Sequence, residues 1–206
     1  MPYNRFCRTM LYVGFAVALA YGTSLAQDWP QWRGPGRDGV VTSFVAPKAW
    51  PDSLKLKWKI TVGAGHSSPV VAGGKVFLHS RQEEKEVVSC FDLVTGKLLW
   101  QDSYPAPYKM HPAATGHGRG PKSTPVFYNG KLYTMYSRGD QKFVIAVEAA
   151  TGKTIWEHTY GAPRAEMNYY EQGYGPHSTP LIIGDLIYAV GAGRITSTET
   201  GAHCAG

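Results

Sequence analysis

Two segments of this chain repeat one another in register. Residues 90–100 read Cys-Phe-Asp-Leu-Val-Thr-Gly-Lys-Leu-Leu-Trp, and residues 146–156 read Ala-Val-Glu-Ala-Ala-Thr-Gly-Lys-Thr-Ile-Trp. A small residue, an acid two positions on, Thr-Gly-Lys and a closing Trp recur at fixed spacing. The repeated positions are Asp92, Thr95, Gly96, Lys97 and Trp100, then Glu148, Thr151, Gly152, Lys153 and Trp156. An internal repeat constrains a chain more than a single motif does, because each copy must be one unit that buries its surface against the next.

The copies also share a beginning. Ser67-Ser68-Pro69-Val70-Val71, Ser123-Thr124-Pro125-Val126-Phe127 and Ser178-Thr179-Pro180-Leu181-Ile182 place their prolines 56 and 55 residues apart. Each start leads through Gly73-Gly74, Asn129-Gly130 or Gly184-Asp185 into a second apolar run. These dipeptides accept positive φ, so they predict tight hairpins. Pro fits the first residue of a strand, where a missing N–H costs least. Third strands are predicted at Val87–Asp92 and Phe143–Glu148, and fourth strands at Lys97–Gln101 and Lys153–Glu157. Between them the acid accepts a backbone N–H two or three residues on and closes the turn. The Trp ending each fourth strand suits packing between neighbouring sheets.

Four antiparallel strands per repeat predict an all-β chain of β-propeller blades. A helical solenoid is excluded, since the apolar spacing alternates by two. Leu54-Lys55-Leu56-Lys57-Trp58-Lys59 reads as a closing strand, a fourth strand without its first three. The predicted organisation is a leader over 1–26, an extension over 27–53 and an incomplete propeller over 54–206. The propeller divides into the closing strand 54–59, blades 66–101 and 122–158, and a partial blade 177–206. That makes about two full blades plus part of a third, below the roughly 4–8 of a closed ring. In the third copy only 21 residues separate Pro180 from Gly201, against 27 in the other copies. Gly191–Gly201 keeps a Thr-Gly but lacks the small-x-acid approach. It reads as a truncation or a shifted frame near residue 194. Exposed blade edges are then expected to self-associate.

Arg5 and Arg8 precede an apolar run from Met10 to Tyr21, and Ser24 and Ala26 follow at signal-peptidase positions. This predicts a secretory leader cleaved after Ala26 and a periplasmic or secreted product. The apolar run is about 12 residues, short of the roughly 20 that a spanning helix needs, so no membrane span is expected. Loss of Arg5 and Arg8 takes the formal charge from +6 to +4. Such a diffuse charge predicts no nucleic-acid partner. Of the cysteines beyond the leader, Cys90 falls on a predicted strand and reads as a free buried thiol.

The repeat resembles the pyrroloquinoline-quinone (PQQ) family of propellers, whose tryptophan-docking motif is Ala-x-Asp-x-x-Thr-Gly-Lys-x-x-Trp. Residues 90–100 carry Cys90 for Ala, and residues 146–156 carry Glu148 for Asp. Asp28-Trp29-Pro30-Gln31-Trp32-Arg33-Gly34-Pro35-Gly36-Arg37-Asp38-Gly39 also looks like the opening of secreted bacterial PQQ-like propellers. The resemblance covers roughly residues 27–190 and implies an N-terminal part of a quinoprotein-like ring of about eight blades. It implies one of two functions. The first is a non-catalytic binding or assembly scaffold, like the propeller subunit of the outer-membrane β-barrel assembly machinery. The alternative is the N-terminal part of a PQQ- and calcium-dependent alcohol or sugar dehydrogenase.

Such a dehydrogenase stacks its quinone between a Trp and a disulfide of adjacent cysteines, over calcium and beside an Asp base. The chain has no Cys-Cys pair, and no acid matches the base or the calcium ligands. The scaffold is therefore the expected reading. No catalytic residue, metal ligand or cofactor is predicted for this chain, and its protein or small-molecule ligand is left open. The candidate binding positions lie in loops before the blades, at a face or channel mouth: His66, His117, Arg119, Lys122, Tyr174 and His177. His111 and His117 alone are too few for a metal site. The run Arg81–Glu86 reads as a solvated hairpin tip.

Overall fold

The computed structural model describes residues 27–107, 112–138, 141–161, 178–191 and 194–200. The leader lies outside them, as does everything beyond Thr200. The described residues form three antiparallel sheets that follow one another along the chain. Sheet one is β1 (Val70–Ala72), β2 (Lys75–Gln82), β3 (Lys85–Asp92) and β4 (Leu98–Pro105). Sheet two is β5 (Val126–Tyr128), β6 (Lys131–Arg138), β7 (Gln141–Glu148) and β8 (Thr154–Gly161). Sheet three is β9 (Leu181–Ile183), β10 (Leu186–Gly191) and β11 (Arg194–Glu199). A short 3-10 helix, Pro112–His117, lies between β4 and β5. No helix among the described residues is long and apolar enough to cross a membrane.

Each sheet meanders from its first strand outward, as the hairpin signals require. Gly73-Gly74 and Asn129-Gly130 turn with positive φ at both positions. The third strands β3 and β7 are buried on both faces, with only their ends in reach of water. Both stand mid-sheet, and β7 lies between sheets one and three. β4 alternates between partly buried and exposed residues, which marks an outer strand with one face covered.

Two cores result, one in each space between sheets. Val70, Phe77 and Val88 of sheet one pack against Leu132, Phe143 and Ile145 of sheet two. Tyr133, Val144 and Trp156 of sheet two pack against Ile182, Ile187 and Ala189 of sheet three. Successive four-stranded sheets stacked face to face are the arrangement of β-propeller blades.

The repeated acid and Trp explain how the layers are held. The Asp92 carboxylate accepts the N–H of Val94 at 3.1 Å and that of Thr95 at 2.7 Å, with the Thr95 hydroxyl also at 2.7 Å. These bonds, the hydroxyl's first, hold the Asp92 carboxyl below its ordinary pKa. Glu148 accepts the Thr151 hydroxyl in the equivalent turn. Lys97 and Lys153 close the turns through their carbonyls, which accept Asp92 N–H at 2.9 Å and Glu148 N–H at 2.8 Å.

The residue just past each acid offers its carbonyl to a Trp that precedes that sheet in the chain. The indole N–H of Trp58 reaches Leu93 O at 3.0 Å, that of Trp100 reaches Ala149 O at 3.1 Å, and that of Trp156 reaches Thr200 O at 3.2 Å. The ring lies against the turn glycine: a Cβ on Gly96 would fall 2.8 Å from the Trp58 ring, and one on Gly152 2.5 Å from the Trp100 ring. A bulge one residue earlier re-aims both sheet Trp side chains: the ladder shifts at Cys90/Phe91 and again at Ala146/Val147.

One expectation meets no partner edge among the described residues, and one is corrected. Residues 54–59 enter no ladder among the described residues, although Trp58 docks as a fourth-strand Trp would. A strand needs a partner edge, and none of the described edges is offered to it. The third copy, moreover, does not break near residue 194. β11 continues it, and Glu199 pairs with Leu186 as Asp92 pairs with Lys75. Ser197-Thr198-Glu199 is therefore the small-x-acid approach, and Thr200 stands where Leu93 and Ala149 stand. Their N–H groups return equivalently, Leu93 to Gly74 O, Ala149 to Gly130 O and Thr200 to Asp185 O. The shortening lies in the β10–β11 hairpin, each of whose strands is two residues shorter than its counterpart in the other sheets. Aligning Gly201 with Gly96 misplaces the copy.

The docking geometry makes a graded prediction. Gly130→Ala meets no atom within 4 Å at φ +74°, so it costs only the left-handed penalty of about 1–2 kcal/mol. Gly152→Ala, at φ +81°, also drives a methyl into the Trp100 ring, adding about 1–3 kcal/mol of overpacking. Urea unfolding of the two variants should rank them in that order. The lowered Asp92 pKa gives a second expectation. Its contribution is present above about pH 4, the ordinary carboxylate range, and is lost as pH falls through the lowered folded value. The Tm difference between the unmodified chain and Asp92→Asn should accordingly shrink on acidification below pH ~4.

Candidate functional site

The β2–β3 and β6–β7 hairpins and the connections between sheets gather at one face, and the predicted binding positions belong to those connections. The loop before β1 is knitted to the loop before β5. His66 N–H and Ser67 N–H both donate to Pro121 O, at 2.8 and 3.1 Å. Ser68 N–H donates to the Thr124 hydroxyl at 3.1 Å, across 56 residues of sequence. His66 is exposed, and a Cβ on Gly118 would lie 3.8 Å from its Nε2. Arg119 is exposed and reaches Glu84 at 3.5 Å. Lys122 is half-buried, and desolvation holds its ammonium below the ordinary pKa. These three therefore share one face. The backbone of His117 ends the 3-10 helix, and its side chain lies outside the description. Tyr174 and His177 also lie outside the described residues.

Beneath this face is a polar cluster that the sequence did not announce. His79 on β2 is buried at 1% exposure and points between sheets one and two. Its Nδ1 lies 2.9 Å from the Thr134 hydroxyl of sheet two. Its Nε2 lies 2.7 Å from the Tyr104 hydroxyl and 3.2 Å from Glu86 Oε2. Arg81, also buried, donates to Glu86 at 3.4 Å, to Glu84 at 2.8 Å and to Ala106 O at 3.0 Å. Burial first, and then the Glu86 charge, push the Tyr104 phenol well above its ordinary pKa. On sheet two the Tyr136 hydroxyl donates to Glu157, while the Arg138 guanidinium lies 5.7 Å from the Tyr136 ring centre.

The run 81–86 is thus no solvated tip. Only its turn, Glu83–Lys85, is exposed, while Arg81 and Glu86 are buried at 2% and 8%. The alternation of a strand carries these two inward on paired residues of one hairpin. Period-two counting along the charge run was the signal available for finding them.

The opening motif does work of its own. Trp29 exchanges both backbone hydrogen bonds with Val71, at 2.7 and 2.9 Å, along the free edge of β1. Pro30 O accepts the Phe127 N–H of β5 at 2.7 Å. The Arg37 guanidinium reaches Ile182 O of β9 at 3.3 Å. One short segment therefore touches the first strand of all three sheets, and those are the strands that face a propeller's axis. It is held compact by its own bonds, including Arg37 Nε to Gln31 at 3.1 Å and Arg33 to Asp38 O at 3.1 Å.

A quinone site over calcium needs converging oxygen donors. Among the described residues no three His, Cys, Asp or Glu side chains come together in a metal-ligating group. Glu84 and Glu86 are engaged by Arg81, and Asp92 and Glu148 by their own turns. Cys90 is buried and free, and desolvation pushes its thiol up to about 11, which makes it an inert core residue.

The stacked meanders, their innermost first strands and the Trp-to-turn bonds define a partial PQQ-type β-propeller. A family model described as "Outer membrane protein assembly factor BamB" matches residues 49–202, and the chain belongs to that family of PQQ repeats. Tetrathionate hydrolase of Acidithiobacillus ferrooxidans is 29% identical over 136 residues, covering 64% of this chain and 23% of that protein. The outer membrane protein assembly factor BamB of Bordetella pertussis is 26% identical over 175 residues, covering 82% and 42%. The chain thus spans less than half the length of either curated relative. Among solved structures, a europium-containing methanol dehydrogenase aligns with a TM-score of 0.49 at 23% identity, over 71% of this chain and 25% of that one. BamB from Moraxella catarrhalis aligns at 0.40 and 15%, over 68% and 49%.

The buried cluster predicts unequal costs for two arginines. Arg81→Met strands Glu86 without its cation and should cost about 3–5 kcal/mol. Arg119→Met removes an exposed pair and should cost less than about 1 kcal/mol. Urea denaturation of both variants checks the difference.

Proposed function

We propose that the chain serves as a non-catalytic binding and assembly scaffold in the bacterial cell envelope. The observation that carries this reading is the N-terminal segment on the inner edges of all three sheets. It occupies the axis side of the array at the level of the first strands. The surface left for a partner is then the two faces and the outer edges, which suit a protein ligand better than an enclosed small molecule. The buried polar groups favour the same reading. His79 is spent on joining sheets one and two, Arg81 on bracing the β2–β3 hairpin against the end of β4, and both are closed to a substrate arriving from solvent.

The leader read over residues 1–26 supports export. The family description and the Bordetella relative, named for outer-membrane protein assembly, support a role beside that membrane. The partner class is an outer-membrane β-barrel protein or its assembly machinery, met at the face that carries His66, Arg119 and Lys122.

The test has two arms. Titration with PQQ and calcium, followed by tryptophan fluorescence and dye reduction, should give neither saturable quenching nor turnover. Titration with a urea-unfolded outer-membrane β-barrel protein, diluted in the presence of the chain, should suppress its aggregation. An Arg119→Glu/Lys122→Glu variant should suppress it less. Saturable PQQ binding would replace the scaffold with the dehydrogenase reading, and unaltered aggregation would remove the barrel-assembly role.

A further inference from the structure

Three short segments at the junction of sheets one and two are tied together by backbone contacts, which sets their charged side chains on one platform. Ala64 exchanges both backbone hydrogen bonds with Arg81, at 2.9 and 2.7 Å. His66 N–H and Ser67 N–H both return to Pro121 O. Gly120 is pressed onto the first of these segments, since a Cβ there would fall 2.5 Å from Ala64 O. Residues 64–67, 81–84 and 118–122 are thereby joined before any partner arrives.

The platform already holds one carboxylate. Glu84 Oε2 is anchored 2.8 Å from the buried Arg81, and Glu84 Oε1 reaches Arg119 at 3.5 Å. The second contact is loose, because the Arg119 and Glu84 side chains are 55% and 56% exposed and an exposed pair at that distance is weak. Arg119 can therefore turn to another carboxylate while Glu84 keeps its bond to Arg81. Lys122 follows Pro121, and its half-buried ammonium has lost part of its hydration. A carboxylate brought beside it favours the charge that burial disfavours. His66 stands next to this pair, over Gly118.

The face also shows which anions it does not suit. None of the large apolar side chains exposed among the described residues lies in these three segments. They contain no Trp, Tyr or Phe, so they offer no wedge for a lipid layer and no aromatic platform for bases.

We infer that Arg119 and Lys122, with His66 beside them, form a docking site for an acidic segment of a protein partner, and that Glu84 is the chain's own carboxylate holding Arg119 until the partner's replaces it. The inference rests on the scaffold reading and names the chemistry of its partner.

Fluorescence anisotropy of a labelled peptide of alternating Glu and Thr, titrated with the purified chain, tests it. Saturable binding that weakens as salt rises is expected, and a peptide of alternating Lys and Thr should not bind. Arg119→Glu/Lys122→Glu should weaken binding of the acidic peptide by about tenfold or more. Glu84→Gln releases Arg119 and should tighten it by about twofold to fivefold. Glu83→Gln is the control, because it removes the same charge from the neighbouring exposed position of the same turn, and it should change the affinity less. Equal effects of Glu84→Gln and Glu83→Gln would overturn the inference, since the attraction would then be diffuse. So would undiminished binding by the double variant, or an oligothymidylate bound as tightly as the peptide. Suppression of β-barrel aggregation without binding of the acidic peptide would keep the scaffold reading and overturn this inference alone.

Discussion

An indole N–H given to a turn carbonyl in the next sheet is the interaction on which this architecture depends. It occurs three times, from Trp58, Trp100 and Trp156, at distances within 0.2 Å of one another. The bond alone is worth about 1 kcal/mol net. Its larger effect is geometric. At Leu93 and Ala149 the acceptor carbonyl lies in a turn that the acid closes, and in all three sheets the acceptor residue's own N–H is pinned to the first hairpin. A flat ring then needs a glycine beneath it, and Gly96 and Gly152 supply one. Docking therefore fixes the separation and rotation of adjacent sheets, and the apolar residues between them fill a space already defined.

Most of this was legible in sequence because repetition separates structural constraint from accident. The spacing of Pro69 and Pro125, the paired turn dipeptides and the acid-Thr-Gly-Lys-Trp signature gave sheets one and two with their strand order. Strand ends were less legible, and β4 and β8 run on to Pro105 and Gly161 because pairing with β3 and β7 continues past the predicted ends. The third copy was misaligned because Thr200-Gly201 imitates the turn while the hairpin before it is shorter. Hydrogen-bond register, which sequence does not display, resolves it. The strand at 54–59 was legible as a pattern, yet a ladder is a property of two edges and only one is described.

The site was harder to read, for a physical reason. His79, Arg81, Glu86 and Tyr104 meet through pairing of three strands of sheet one, and stacking of sheet two adds Thr134. A charge run such as 81–86 reads as surface until strand alternation divides it. The loop positions recur before each sheet in the sequence, and of them His66, Arg119 and Lys122 share one face of the described residues. The opening Trp-Pro-Gln-Trp-Arg motif was recognised as a family signature, but its contact with all three innermost strands is visible only in the fold. That contact makes the segment part of the array and directs attention away from the axis toward faces and edges as binding surfaces.

Hydrogen exchange of the indole N–H groups, followed by NMR, tests the docking ladder most directly. Trp32 and Trp50 are exposed at 54% and 63% and serve as internal references. The indole protons of Trp58, Trp100 and Trp156 should exchange much more slowly than these two. Among the three, Trp58 should be as protected as Trp100 despite belonging to no described ladder. Exchange of Trp58 at the rate of Trp32 and Trp50 would contradict the account, because sheet one would then lack the contact that its turn is built to receive.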